Sequence, residues 1–330
     1  MPQTVLSDIN DGAPPTLNHI VGQRRAIEQL RISLEAYFAD RGAAHTATPA
    51  HPHVLLVGPA GVGKSLLSQV IARELGGGLY QDLAQNLMNV GHLQGLMILI
   101  EDGDCAFVDE LHEMSPIVQT TLYRCLEDRT LFFPATPFSE GSTVKIPPFT
   151  FLGATTHEFA LAKPLRDRFK LILRLEHYAE NELAEILNQR TRRLNWPTDQ
   201  SVLRGIAQRG RGTPRLALRL LEATRRTARS EGADTITTEH FSRTIEVEGI
   251  DQLGLDPLEQ QYLSILAEAS QPIRLNVLAT RLGLPRQTIE RVIESDLIRL
   301  GLVTKSEAGR SLTDLGVAHV NPSSTSSKTV

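Results

Sequence analysis

The run from His53 to Ser65 constrains this chain more than any other: Val54-Leu55-Leu56-Val57, then Gly58-Pro59-Ala60-Gly61-Val62-Gly63-Lys64-Ser65. An unbroken aliphatic run with β-branched members reads as a buried strand. From Leu66 to Leu75 apolar side chains recur at helical spacing, and Gly76-Gly77-Gly78 stops that helix. The segment between them satisfies G-x-x-x-x-G-K-[ST] in the strand–loop–helix setting the pattern requires. Glycines let backbone N–H groups converge on phosphate oxygens with no Cβ in the way. The helix N-terminus adds free donors and partial positive charge. Lys64 brings a point charge for the β- and γ-phosphates, and the Ser65 hydroxyl is a ligand for Mg²⁺. An ordinary glycine turn is the competing reading, and the complete motif disfavours it.

Two further strands carry polar tips. Cys105-Ala106-Phe107-Val108 ends in Asp109-Glu110, and ligands sit beyond the C-terminal ends of strands in an open parallel sheet. Asp109 is placed to hold Mg²⁺ through water, as the acidic partner of a phosphate loop. Glu110 is the candidate general base for an attacking water. Phe149 to Thr156 is a third strand, and Thr156 at its tip can orient water near a γ-phosphate. Beyond it stands Pro164-Leu165-Arg166-Asp167-Arg168-Phe169. Two arginines around an acid ordinarily make a surface salt bridge, and composition alone favours that over an arginine finger.

The rest of the chain divides by composition and periodicity. Residues 1–16 are polar and proline-containing, expected to be flexible. Residues 17–177 are expected to form the α/β nucleotide domain, a parallel sheet with flanking helices. It opens with an amphipathic helix carrying Ile27, Leu30, Leu34 and Phe38, followed by a linker whose His45, His51 and His53 read as solvated. Helices are expected over Leu93–Ile100 and Ser115–Arg129, and a β-hairpin over 131–146. Residues 178–252 read as a helical lid of four helices. Thr213 is the expected N-cap of the third, with Pro214 at its first position and Arg215 placed to reach a phosphate. Residues 253–320 show three helices, ending with Arg286–Leu297, and a two-stranded wing around Ser306–Arg310, a winged-helix plan. Residues 321–330 are Ser/Thr-rich, expected to be a disordered tail.

Net charge is −4 over 330 residues, so there is no global basic signal for nucleic acid and any such contact must be local. No run is long and apolar enough for a membrane, and the two cysteines have no metal or disulfide spacing, which together point to a cytoplasmic protein.

The phosphate loop, Asp-Glu strand, threonine-tipped strand and Gly212-Thr213-Pro214-Arg215 resemble the AAA+ ATPases. Pro147-Pro148-Phe149-Thr150, Gly153-Ala154-Thr155-Thr156, the 164–169 run, Gly254-Leu255-Asp256 and Thr288-Ile289-Glu290 resemble the RuvB family, Holliday-junction branch-migration motors, over residues 15 to 320. The resemblance implies a ring ATPase, commonly hexameric, with ATP and Mg²⁺ at subunit interfaces. It implies phosphate binding by residues Gly58 to Leu66, Mg²⁺ at Ser65 and Asp109, and an adenine pocket of Ile20, Val21, Tyr178 and Pro214. Thr156 becomes a sensor, Arg168 a finger acting in trans, and Arg215 a second sensor that couples the lid to the nucleotide. The implied partners are further copies of the chain, DNA as a four-way junction or duplex, and a RuvA-like protein at the hairpin. There are departures. His157 replaces a family arginine, and Ala13-Pro14 an arginine-proline. The hairpin carries Phe132, Phe133 and Phe138 with little positive charge, and the wing tip Lys305-Ser306-Glu307-Ala308-Gly309-Arg310 is poor in arginine. Fewer phosphate-facing cations weaken DNA binding. Two functions follow: a DNA translocase driving branch migration, and a RuvB-derived ring that remodels a protein partner.

Overall fold

A computed structural model describes residues 8–43, 50–133 and 141–321. The chain divides into two compact units, up to Thr238 and from Glu239 onward. The first is built on a parallel sheet of order β2-β3-β6-β1-β7, from β1 (Val54–Val57), β2 (Leu79–Leu83), β3 (Cys105–Asp109), β6 (Thr150–Thr155) and β7 (Leu171–Arg174). The three central strands are those the apolar runs predict. The edge strands β2 and β7 escape that reading. Leu79-Tyr80-Gln81-Asp82-Leu83 is only half covered, so no long apolar run marks it.

Helices cover both faces. On one side α1 (Arg24–Ala43) and α2 (Lys64–Leu75) bring Leu30, Val70 and Ile71 against Leu56 and Leu152. On the other, α3 (Val90–Met97) and α4 (Pro116–Asp128) bring Leu93, Met97, Val118 and Leu122 against Leu55 and Phe151. Burial of both faces explains why β1 shows no polar alternation. Helix α3 starts and stops three residues earlier than the apolar run suggests, because Asn89 caps it by accepting from the His92 N–H at 3.0 Å. Phe38, expected on an apolar face, is exposed, as is Ile117 near the start of α4.

Registers Val57↔Thr155 and Val108↔Gly153 set the tips of β1, β6 and β3 side by side. That alignment delivers Gly58, Thr156, Asp109 and Glu110 to one end of the sheet. The hairpin is present as β4 (Thr130–Phe133) and β5 (Ser142–Lys145), antiparallel, with Phe132 exposed. Its tip, with Phe138, lies outside the described residues, as do His45, residues 1–7 and 322–330.

Two expectations are corrected. His51 and His53 are not solvated. His51 is buried and bonded to Ser33 at 3.0 Å, and the Nδ1 of His53 accepts from the Phe151 N–H at 3.0 Å. Burial lowers both imidazoles, His53 to about 4. Within residues 1–16, Ile9–Gly12 forms a 3-10 turn with a capping box at Asp8. The Ile9 carbonyl in it and the Ala13 carbonyl just after it accept from two lid arginines, Arg190 and Arg193, each at 2.7 Å.

A short α5 (Lys163–Arg166) follows β6, and the lid contributes α6 (Glu180–Arg193), α7 (Gln200–Arg209) and α8 (Pro214–Ser230) to the first unit. Thr213 precedes α8 but its side chain makes no capping bond. The second unit holds α9 (Thr238–Glu248) and the winged helix: α10 (Pro257–Ala267), α11 (Leu275–Leu282), a helical run from 286 to 299, and the wing β8 (Val303–Lys305) with β9 (Arg310–Leu312). The run from 286 widens to π geometry over Ile289–Glu294. Tyr262, Leu278, Ile289, Ile293 and Leu297 make the core. A last helix, Asp314–Val320, has too few residues for its periodicity to stand out in sequence.

Candidate active site

The phosphate loop needs its glycines for named reasons. Gly61 (φ +78°) and Gly63 (φ +101°) occupy the left-handed region. A Cβ on Gly61 would also lie 2.7 Å from Thr213 Cγ2, because the start of α8 rests on the loop. Lid and loop are joined directly. The Arg215 N–H donates to the Gly61 carbonyl at 3.3 Å, and the Tyr178 hydroxyl to that of Val62 at 3.3 Å.

Lys64 is buried, its ammonium donating to the Gly58 and Pro59 carbonyls at 2.9 Å each. Desolvation lowers its pKa, with Arg215 adding to that and Glu110 and Asp109 opposing it. The Ser65 hydroxyl donates to Asp109 Oδ2 at 2.6 Å. These two hard oxygen groups from α2 and β3 converge on one point. They fit Mg²⁺, which takes few carboxylates and keeps much of its water.

Glu110 sits one residue beyond β3 at φ 49°, ψ 47°, a left-handed conformation that costs a non-glycine roughly 1–2 kcal/mol. Thr156 Oγ1 donates to Glu110 Oε2 at 3.3 Å. The candidate base and the candidate sensor therefore touch.

A cavity of about 610 Å³ gathers most of the predicted residues: loop positions Ala60 to Leu66, then Asp109, Glu110, Ile20, Val21, Tyr178, Pro214 and Arg215. Gly58 and Pro59 do not line it, and their carbonyls accept from Lys64. Thr156 and Arg168 do not line it. Arg168 Nη2 pairs with Glu127 and donates to the Tyr123 hydroxyl at 3.3 Å, its guanidinium 5.0 Å from the Tyr123 ring centre. The expected partner Asp167 is not the one it takes. Arg166 lies over the exposed Phe159 ring, 5.2 Å from its centre.

Sequence reasoning missed part of the lining. Arg219 and Glu222 follow Arg215 at i+4 and i+7, so helical spacing was the available signal. Ile9, Asn10 and Gly12 come from the N-terminal turn, and Ile186, Gln189 and Arg190 from α6. No local pattern marks these, since a tertiary contact across the sequence brings them there.

The chain matches three family models in succession: "Holliday junction DNA helicase RuvB P-loop domain" over residues 13–175, "RuvB AAA lid domain" over 178–251, and "RuvB C-terminal winged helix domain" over 252–321. It is 35% identical to the RuvB branch migration complex subunit of Rubrobacter xylanophilus, over 93% of this chain and 86% of that one. The same subunit from an Anaeromyxobacter strain is also 35% identical, over 93% and 89%. Among solved structures, the Thermotoga maritima RuvB Holliday junction branch migration motor superposes with a TM-score of 0.79 at 33% identity, covering 94% of this chain and 98% of that one. Whole-chain likeness in sequence and fold, over all three segments, makes this chain a member of the RuvB family of AAA+ ATPases.

Proposed function

We propose that the chain hydrolyses ATP and couples the hydrolysis to movement of DNA through a ring of identical subunits, driving branch migration at four-way junctions. The observation that carries this is the cavity in which the phosphate loop, Asp109, Glu110 and Arg215 meet. The relatives' names add the DNA junction as substrate.

The residues divide the work by position. Loop N–H groups, the α2 N-terminus and Lys64 bind and align the triphosphate. Ile20, Val21, Tyr178 and Pro214 enclose the adenine. Ser65 and Asp109 hold Mg²⁺, which when bound neutralises charge developing on the phosphate oxygens. Glu110 takes the proton of the attacking water, and Thr156 keeps the carboxylate aimed. Arg168 reaches the nucleotide of the neighbouring subunit as a finger, exchanging Glu127 for phosphate. Arg215 senses the nucleotide from the lid, and its bond to Gly61 carries lid position back to the loop. DNA is met by the winged helix, and the hairpin with exposed Phe132 is the surface for a RuvA-like protein. Among the described residues no helix is long and apolar enough to cross a membrane, and we place the protein in the cytoplasm.

The deciding experiment measures ATP turnover with and without four-way junction DNA, at low and at physiological salt. Stimulation by the junction that fades with salt is expected. Turnover indifferent to DNA, with no binding at low salt, would remove DNA as the substrate and leave an ATPase acting on protein.

A further inference from the structure

Around Glu110 four side-chain contacts and one backbone N–H close into a ring. Glu110 Oε2 accepts from Thr156 Oγ1 at 3.3 Å, and Thr156 Oγ1 lies 2.8 Å from Nδ1 of His157. The backbone N–H of His157 donates to Thr155 Oγ1 at 3.0 Å. Thr155 Oγ1 lies 3.1 Å from Nδ1 of His112, which is 3.4 Å from Glu110 Oε2. The two imidazoles also face each other, centroids 4.7 Å apart and planes at 53°.

The hydrogen bookkeeping picks out one arrangement. The single proton of Thr156 goes to Glu110, so Thr156 must accept from His157, which requires the Nδ1–H tautomer there. An aimed hydroxyl is therefore a consequence of the imidazole behind it. His112 closes the other side. Its side chain is largely buried, and Nε2 is 3.4 Å from Glu113 Oε1, which fixes the ring from behind. Glu110 needs such support, since its backbone rests in a left-handed conformation that its own chain does not favour.

We propose that His112 and His157 are positioning residues for ATP hydrolysis, together holding the Glu110 carboxylate and the Thr156 hydroxyl in the geometry that activates water. The inference rests on the ATPase reading above. Neither histidine lines the nucleotide cavity, so their loss touches turnover and not the grip on ATP.

The test compares shape with hydrogen bonding in the full-length protein. His112→Phe and His157→Phe keep a flat ring and remove Nδ1. His112→Asn and His157→Asn put a polar atom near the Nδ1 position. The phenylalanine variants are expected to lower kcat about tenfold to a hundredfold, the scale of a small misplacement of catalytic groups. KM for ATP and the affinity for a fluorescent ATP analogue stay within about twofold, as for a loss felt only in the transition state. The asparagine variants recover most of kcat. The double phenylalanine variant falls little below the worse single one, because one ring of contacts is already open. Unchanged kcat in both phenylalanine variants, or asparagine variants as slow as they are, would overturn the positioning role. No ATP turnover in the unaltered protein would instead overturn the ATPase reading itself, and the two failures are told apart by that control.

Discussion

Lys64 in the phosphate loop and Lys305 on the wing are both lysines proposed to meet phosphate, and the fold treats them in opposite ways. Lys64 is buried, held by two loop carbonyls, and among the described residues no acid is bonded to its ammonium. Its charge is left for an incoming anion. Lys305, on the wing, is half exposed and paired with Glu290 at 3.1 Å. Beside it, Arg310 bonds Glu290 at 3.0 Å and Glu294 at 2.8 Å, and Glu294 also accepts from the Tyr262 hydroxyl at 3.0 Å. Lys305 beside Glu290 holds that carboxyl below the usual range. The ATPase unit therefore holds a cation with no bonded acid inside its cavity, whereas the wing pairs its cations with acids of the neighbouring helical run. The cation of the first unit suits a small polyanion, and the paired cations of the second leave less free charge for a long one.

The largest effect expected on the ATPase side is at Arg168. Arg168→Ala should lower turnover in the assembled ring by about 10³- to 10⁵-fold, the effect expected of removing an arginine finger. Losing the half-exposed pair with Glu127 should cost no more than about 1 kcal/mol of stability. Nucleotide affinity measured on the same sample should hold. A protein that stops binding ATP would make Arg168 structural, and the contrast with the wing would then rest on Lys64 alone.

Glu110→Gln comes next, with kcat falling about 10²- to 10⁴-fold as expected on removal of a general base. The amide preserves size and can still face Thr156, so ATP should remain bound and unhydrolysed. Rapid-quench measurement of bound nucleotide checks this. Retained turnover would take the base role from Glu110 and leave its left-handed backbone without a catalytic reason.

How much of this was legible in the sequence follows the same divide. The phosphate loop, Asp109, Glu110 and Arg215 lie in short patterns, because each role is performed by a strand tip or a helix start. Local spacing therefore announced them. Arg190 reaching Ile9 across the chain, and Glu290 of the helical run facing Lys305 of the wing, are fixed only by packing. His51 and His53 were misread for that reason too. A histidine before a strand looks solvated until Ser33 and Phe151 are known to stand beside it.

Acid should separate the two units. The folded pKa of His53, about 4, lies below the ordinary 6.5, so the unfolded chain binds the proton first. That stability is present above pH 6.5 and is lost as pH falls from there towards 4, by up to about 3 kcal/mol at 1.36 kcal/mol per unit. Trp196, the sole tryptophan, lies in the first unit and reports it alone by fluorescence. Denaturant midpoints followed by Trp196 should fall across this window, and His53→Gln should flatten the fall. A flat profile in the unaltered protein would mean His53 is protonated in the folded state.

The smallest effect bears most directly on the wing. Glu290→Gln removes the carboxylate that holds Lys305, while Glu294 keeps Arg310. One cation is released. If the wing faces phosphates, the plot of log affinity for junction DNA against log salt should steepen by about 0.9, the slope for one released counterion. Between 50 and 200 mM salt that is an additional loss of roughly threefold in affinity, since a fourfold change in salt enters to the power 0.9. Binding at the low-salt end should tighten correspondingly. ATP turnover without DNA should not change, because Glu290 belongs to the other unit. An unaltered salt slope would mean that Lys305 does not meet a phosphate even when freed. The winged helix would then engage DNA, if at all, through a surface other than its wing, and the pairing of Lys305 with Glu290 would be architecture and not restraint.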